Sequence, residues 1–225
     1  EPKMTTLFLQ LLKNRANKAA QLYILGDFFD AWIGDDDDTP LIHECTQALK
    51  ACSNNTELFL MHGNRDFLMG EQFAQNAGMT LLSDSHIISF LKTKALIMHG
   101  DQLCTDDVKY QQARTMVRSP QWQQQFLSQD LATRRVQAEK YRQASGEHQS
   151  MQAADIIDVN QDAVEQAMLD ANVTTLIHGH THRPAAHQFQ LQQQSATRYV
   201  LAPWETDTGF FLSWTAKGFR SEQLT

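Results

Sequence analysis

Three imidazoles fall within five residues in the run His178-Gly179-His180-Thr181-His182, directly after the apolar stretch 173–177. Neutral imidazole is the commonest protein ligand for metals and suits borderline transition ions. Side chains alternate along a strand, so a strand end here places His180 and His182 on one side. Gly179 lets the backbone turn tightly beside an ion. Alone, the pentapeptide also reads as a His-rich loop that binds nothing.

Three further apolar runs end in the same kind of chemistry. Tyr23-Ile24-Leu25-Gly26-Asp27 ends in Gly-Asp, Leu58-Phe59-Leu60-Met61-His62-Gly63-Asn64-Arg65-Asp66 in Gly-Asn-Arg-Asp, and Ala95-Leu96-Ile97-Met98-His99-Gly100-Asp101 in His-Gly-Asp. One such ending is an ordinary turn, since Gly, Asn and Asp dominate turns. Four strand ends that all carry carboxylate, amide or imidazole donors point instead to one shared site at the carboxyl edge of an α/β sheet.

The elements that must position these ends follow from periodicity. Apolar residues at helical spacing (Leu7, Leu9, Leu11, Leu12) predict a helix over 5–20. Strands are predicted at 22–26, 57–61, 79–82, 86–91, 94–98 and 173–177, with helices at 40–52, 70–77 and 155–171. This alternation predicts an α/β layered core. Tail runs at 186–191, 197–202 and 209–214 predict an antiparallel sheet that closes it. The acidic run Asp35 to Asp38 reads as a solvated helix entrance, favoured by the positive helix end. Residues 106–150 lack a strand pattern and are sparse in core residues, so they read as a helical insertion, N-capped near Asp106 and Asp107 and shaped as a lid.

With 225 residues and 42% apolar content, the chain suits one domain with a sizeable core. A net charge of −7 argues against a broad nucleic-acid-binding face. Cys45, Cys52 and Cys104 lack Cys-x-x-Cys spacing and read as free thiols, with Cys45 and Cys52 buried. No apolar stretch approaches the ~20 residues that a membrane span needs.

The order Gly-Asp, Gly-Asn-x-Asp, His-Gly-Asp, Gly-His-x-His resembles the calcineurin-like metallophosphoesterases. Residues 23–36, 63–68 and 98–107, with Asp158-Val159-Asn160-Gln161 and 177–184, resemble one family among them: the UDP-2,3-diacylglucosamine pyrophosphatases of lipid A biosynthesis. The likeness spans nearly the whole chain. It implies one metallophosphoesterase domain over 1–225, a layered β-sheet core flanked by helices, with the helical lid at 106–150. The family opens with a strand ending in Asp-x-His that supplies two more ligands, expected directly before Glu1. Residues 145–149 are less basic than the family's lid.

The resemblance implies two Mn²⁺ ions, other divalent metals being alternatives, about 3.5–4 Å apart. Asp27 would bridge them, with Asn64, His99 and His180 completing one site and His182 in the other. Arg65 and Asn64 would serve catalysis, Arg65 by placing its guanidinium fork on phosphoryl oxygens. Read without the family, Arg65 is a surface partner of Asp66. His178 would orient a ligand from behind. Substrate contacts implied are Asn64, Arg65, Asp107, Tyr110, Ser145, Gln149, Gln152, His180, Trp32, Phe126 and Arg142, with Phe67 also lining a core–lid groove. For the aromatics, core packing is the plain reading, and the groove role rests on the resemblance.

The activity implied is hydrolysis of the pyrophosphate bond of UDP-2,3-diacylglucosamine. The implied partners are that lipid-linked UDP-sugar and the cytoplasmic surface of a Gram-negative inner membrane. The protein is expected as a peripheral monomer without nucleic acid. Another dinuclear phosphodiesterase or nucleotide pyrophosphatase, and a non-catalytic scaffold, are the alternatives.

Overall fold

The computed structural model describes residues 2–151 and 158–225, with backbone alone at 144, 145 and 147–151. Helix α1 (Pro2–Asn14) turns Leu7, Leu11 and Leu12 inward. Strand β1 (Gln21–Leu25) and helix α2 (Pro40–Cys52) follow; α2 opens on Pro40 with the Thr39 hydroxyl capping the Ile42 N–H. Strand β2 (Glu57–Met61), helix α3 (Glu71–Ala77) and strand β3 (Met79–Leu82) complete a parallel sheet of order β1-β2-β3. Leu12, Phe29, Trp32, Leu49, Leu58, Leu60 and Phe73 bury one core between this sheet and the helices, and Cys45 and Cys52 join it.

The antiparallel pair β4 (Ser85–Phe90) and β5 (Thr93–Met98) opens a second sheet. Three helices then leave the sheet, α4 (Val108–Val117), α5 (Pro120–Leu127) and α6 (Leu131–Met151). Asp107 caps α4 and Ser119 caps α5, so the predicted helical insertion begins at its predicted cap. Helix α7 (Gln161–Asp170) leads into β6 (Thr175–His178), parallel to β5. Strands β7 (Ala185–Leu191) and β8 (Gln194–Val200) complete the sheet order β4-β5-β6-β8-β7. A hairpin of β9 (Gly209–Thr215) and β10 (Gly218–Leu224) ends the chain. A buried cluster of Leu25, Met61, Ile97 and Ile177, flanked by Leu212, Trp214 and Phe219, draws on both sheets and this hairpin.

Several expectations are corrected. Helix α7 starts at Gln161, not 155, because the Asn160 side chain caps the Ala163 N–H; residues 152–157 lie outside the described ones. The tail is not one antiparallel sheet. β8 pairs parallel with β6, and the last two strands pair only with each other, β10 having gone unpredicted. Periodicity identifies strands but not their partners.

The acidic run is not a solvated helix entrance either. Thr39 caps α2, while Asp35 accepts the N–H groups of Gly70 (2.9 Å) and Phe73 (2.9 Å), capping α3 from across the fold where Gly70 has no side chain to do so. Asp36 pairs with Arg134 and Asp37 with Arg135, both on α6. Arg134 is buried, 3% exposed, and also donates to the Ile33 carbonyl at 2.6 Å. Helix α4 is tied down similarly. Arg114 donates to Asp101 (2.7 Å) and Asp84 (2.6 Å), and Arg118 to Asp84 (3.1 Å) and the Gly63 carbonyl (2.9 Å).

Asp36→Ala therefore strands a buried guanidinium. It should lower unfolding free energy by about 1–3 kcal/mol, seen as a lower urea midpoint. Asp37→Ala removes a partner of an exposed arginine and should cost less than about 1 kcal/mol. Equal midpoints for the two variants would refute this assignment.

Candidate metal centre

Each ligand candidate stands where a strand stops. Asp27 follows β1, Asn64 follows β2, His99 follows β5, and His180 and His182 follow β6. All four strands run parallel to a neighbour within their sheets. Their carboxyl ends bring these side chains together, the placement usual for sites of open α/β sheets.

Two glycines make the convergence possible. Gly26 has φ +86, and a Cβ there would fall inside the Gly63 backbone and within 2.7 Å of His99 Nδ1. A Cβ on Gly63 would collide with the Asp27 amide nitrogen and carboxylate. The loops after β1 and β2 thus touch backbone to backbone.

Asn64 Oδ1 lies 3.0 Å from His99 Nε2 and 2.9 Å from His180 Nδ1, and Asp27 Oδ1 lies 3.8 Å from His99 Nε2. His99 Nδ1 sits 2.7 Å from the Leu25 carbonyl, which can only accept, so the ring proton belongs there. In the neutral ring, Nε2 then presents a lone pair toward the Asn64 oxygen. Two acceptors facing each other are unfavourable without a cation, and ligands about 2.1 Å from one ion lie about 3 Å apart in an octahedral shell. The donors present therefore fit a divalent metal. Among the described residues no three His, Cys, Asp or Glu side chains form a closed ligand set alone; the amide of Asn64 joins them.

Burial first, then the neighbouring His99, pushes the His180 pKa down to about 4, so the ring is neutral and can ligate near pH 7. His182 stands exposed at the rim, lowered by partial burial and the Arg65 charge. Its same-side placement with His180 is not strand alternation, since β6 ends at His178. His180 and His182 adopt φ +64 and +54, and Asp27 φ +52. Such left-handed non-glycine residues cost of order 1–3 kcal/mol each and concentrate at functional sites.

His178 is wholly buried. Its Nε2 accepts from Arg198 Nη1 at 3.0 Å and its Nδ1 faces the Gly179 carbonyl at 2.9 Å. It supports the loop carrying His180 and contacts no candidate ligand directly. Arg65 pairs with Asp30 at 2.9 Å and approaches Asp27 at 3.6 Å. Asp66, its expected surface partner, is instead 0% exposed and accepts two backbone N–H groups.

The groove residues divide. Trp32 is buried in the first core, a cluster that also takes in Phe126, Trp122 and Leu131 of α5 and α6, and its Nε1 donates to Asp35. Phe126, 3% exposed, stacks on Trp122 and faces a cavity of about 170 Å³ that it shares with Gln137 and Tyr141, on α5 and α6. Apolar burial outweighs groove exposure for both rings. Asp107 is buried as the α4 cap. Tyr110 donates to Asp101 at 2.8 Å with its ring 5.9 Å from His180, Phe67 lies under the Arg118 guanidinium, and Arg142 is exposed. Ser145 and Gln149 have undescribed side chains, and Gln152 lies outside the described residues.

Sequence reasoning assigned no role to Asp101, Arg114 or Arg118. Burial would raise the Asp101 carboxyl, but His99 and Arg114 outweigh that and hold it at about 2. The signal was present in the Asp of His-Gly-Asp and in two arginines four apart on a helix.

The family model for calcineurin-like phosphoesterases matches residues 2–184, and the chain belongs to that family. Two of its relatives are named UDP-2,3-diacylglucosamine hydrolase. That of Cellvibrio japonicus is 46% identical over 218 residues, covering 96% of this chain and 90% of its own. That of an Escherichia coli strain is 48% identical over 208 residues, covering 92% and 87%.

Gly63→Ala adds one methyl where two loops touch, so it should weaken divalent-ion binding at least tenfold by calorimetry; unchanged affinity would contradict the close approach. Protonation gives a second check. Burial holds both His178 and His180 at about 4 in the folded chain, against 6.5 when unfolded. The unfolded state then binds more protons, so metal-free stability is full above pH 6.5 and falls progressively toward pH 4. A urea midpoint flat across that window would show that these rings are not buried neutral.

Proposed function

We propose that this chain hydrolyses the pyrophosphate bond of UDP-2,3-diacylglucosamine, releasing UMP and 2,3-diacylglucosamine 1-phosphate, a step of lipid A biosynthesis. The observation that carries the reading is the convergence of Asp27, Asn64, His99 and His180 at four strand ends. The 46% and 48% identity to hydrolases of that name, over more than nine-tenths of the chain, supplies the substrate. It is an enzyme, a hydrolase of the metallophosphoesterase class.

Asp27 would be shared between two divalent ions, with Asn64, His99 and His180 available to hold one and His182 the other. Nitrogen and oxygen donors without thiolate fit Mn²⁺, with other divalent ions as alternatives. When bound, the ions polarise the phosphoryl group and lower the pKa of water.

Everything else is the work of side chains. Arg65, its fork now shared between Asp30 and Asp27, turns onto the phosphoryl oxygens and offsets the charge that develops there. Neutral His180 and the Asn64 amide hold the α-phosphate from the other side. The water oxygen bonds to the α-phosphorus and gives up its proton to solvent, the bond from phosphorus to the bridging oxygen breaks, and the sugar 1-phosphate leaves with the electron pair.

Helices α4–α6 act as the lid. Val108, Met116, Leu127, Val136 and Tyr141 stay exposed on them and offer apolar surface to the acyl chains, at about 0.8 kcal/mol per buried CH₂. Tyr110 and Arg142 contact the glucosamine phosphate. No helix among the described residues is long and apolar enough to cross a membrane, and the protein meets its lipid substrate at the cytoplasmic surface of the inner membrane as a peripheral protein.

Turnover in H₂¹⁸O locates the broken bond. The label should appear in UMP and not in the lipid phosphate; label in the lipid product would place attack on the β-phosphorus. Chelation should abolish turnover and Mn²⁺ restore it. Asp27→Ala and His99→Ala should each remove at least 10³-fold of kcat while leaving the fold intact, with Asp27 the worse. Near-native turnover of either variant at limiting Mn²⁺ would overturn the ligand set. Cleavage of a small phosphodiester without cleavage of the UDP-sugar would favour a general phosphodiesterase instead.

A further inference from the structure

We infer that Asp66 is a positioning residue for the metal centre: its carboxylate clasps the loop after β1 to the loop after β2 and so fixes Asp27 against Asn64. The inference rests on the reading of Asp27 and Asn64 as ligands.

Asp66 is 0% exposed. One carboxylate oxygen accepts the Gly63 N–H at 2.7 Å and the other accepts the Phe28 N–H at 2.7 Å. Gly63 immediately precedes Asn64, and Phe28 immediately follows Asp27. The clasp is reciprocal, because Asp27 Oδ1 accepts the Arg65 N–H at 2.9 Å. Each loop thus lends the other a carboxylate and takes an amide proton in return.

Core stability alone does not call for this residue. A buried carboxylate is expensive unless paired, and the adjacent guanidinium of Arg65 turns to Asp30 and Asp27. Burial, with the Asp27 charge beside it, pushes the Asp66 carboxyl up, and the two amide protons work against that. An apolar side chain would avoid that charge but leave the Gly63 and Phe28 amide protons unpaired.

What an apolar side chain could not do is hold the turn. Gly26 and Asp27 are successive left-handed residues, φ +86 and +52. Left-handed backbone at a non-glycine residue persists only where its surroundings over-determine it, and the Phe28 N–H is the first amide beyond the strained pair. Ligand donors must be held within about 0.5 Å of their productive positions, and groups behind the ligands typically change metal affinity 10–100-fold when altered.

The test is Mn²⁺ titration of chelator-treated full-length protein by calorimetry. Asp66→Asn is nearly isosteric but keeps only one acceptor and turns an N–H toward an N–H. Asp66→Ser serves if that variant folds poorly, and Asp36→Ala is the control that lowers stability through the Arg134 pair. The expected result is a 10–100-fold rise in Kd for Mn²⁺ in the Asp66 variants and none in the control. Amide exchange needs no variant: Phe28 and Gly63 should be among the slowest loop amides of the metal-free protein. Unchanged Mn²⁺ affinity, an equal loss in Asp36→Ala, or fast exchange at both amides would overturn the inference alone. Failure of the wild-type protein to bind Mn²⁺ would overturn the ligand reading and the inference with it.

Discussion

Between the loops that follow β1 and β2 there is no room for a Cβ, and the organisation of the metal centre follows from that contact. Gly26 and Gly63 approach so closely that a Cβ on either would overlap the other loop, which brings Asp27 and Asn64 together. Backbones that close need their amide protons satisfied, since an unpaired buried N–H costs as much as a lost hydrogen bond. Asp66 and Asp27 satisfy three of them from within the loops themselves. A steric permission granted by glycine is thereby converted into a fixed geometry by carboxylates.

The same economy of charge holds the inserted helices to the core. Arg114 of α4, Arg118 at its C-terminal cap, and Arg134 and Arg135 of α6 reach carboxylates before the helices in the chain: Asp84, Asp101, Asp36 and Asp37. Helix α4 is poor in buried residues, none being fully enclosed, so hydrophobic burial does little to dock it. Directional ion pairs and a donor on the Gly63 carbonyl fix it instead. One consequence is spatial: α4 touches the loops that carry Asn64 and His99, so the helices proposed to hold lipid and the residues proposed to hold metal share a frame.

Burial does a third job. At the end of β6 and in the loop that follows, it keeps His178 and His180 uncharged, against the pull of nearby carboxylates on His180. A protonated imidazole cannot ligate, and one hydrogen-bonded on its far nitrogen presents its lone pair in one direction only. His99 shows this most plainly, its Nδ1 committed to the Leu25 carbonyl and its Nε2 free toward Asn64. The strand end that precedes Asp27 thus also sets the tautomer of a ligand candidate 72 residues further along the chain than Asp27.

Much of this was legible in the sequence because it is local. Apolar runs located the strands, Gly-Asp and Gly-Asn endings marked where they stop, and Asp107 is a cap read from residue type. The Asp, Asn and His donors sit at those endings, so the ligand candidates could be named one by one. The tertiary structure decided everything that depends on a distant partner. It paired β8 with β6, gave Asp36 a guanidinium 98 residues away, turned Arg65 to Asp30, and buried Asp66. It also placed Trp32 and Phe126 in packed surroundings where residue type alone allowed a groove. The division has one physical cause. Backbone propensity and capping act over a few residues and leave their mark in spacing, whereas pairing and burial are set by which surfaces meet after folding.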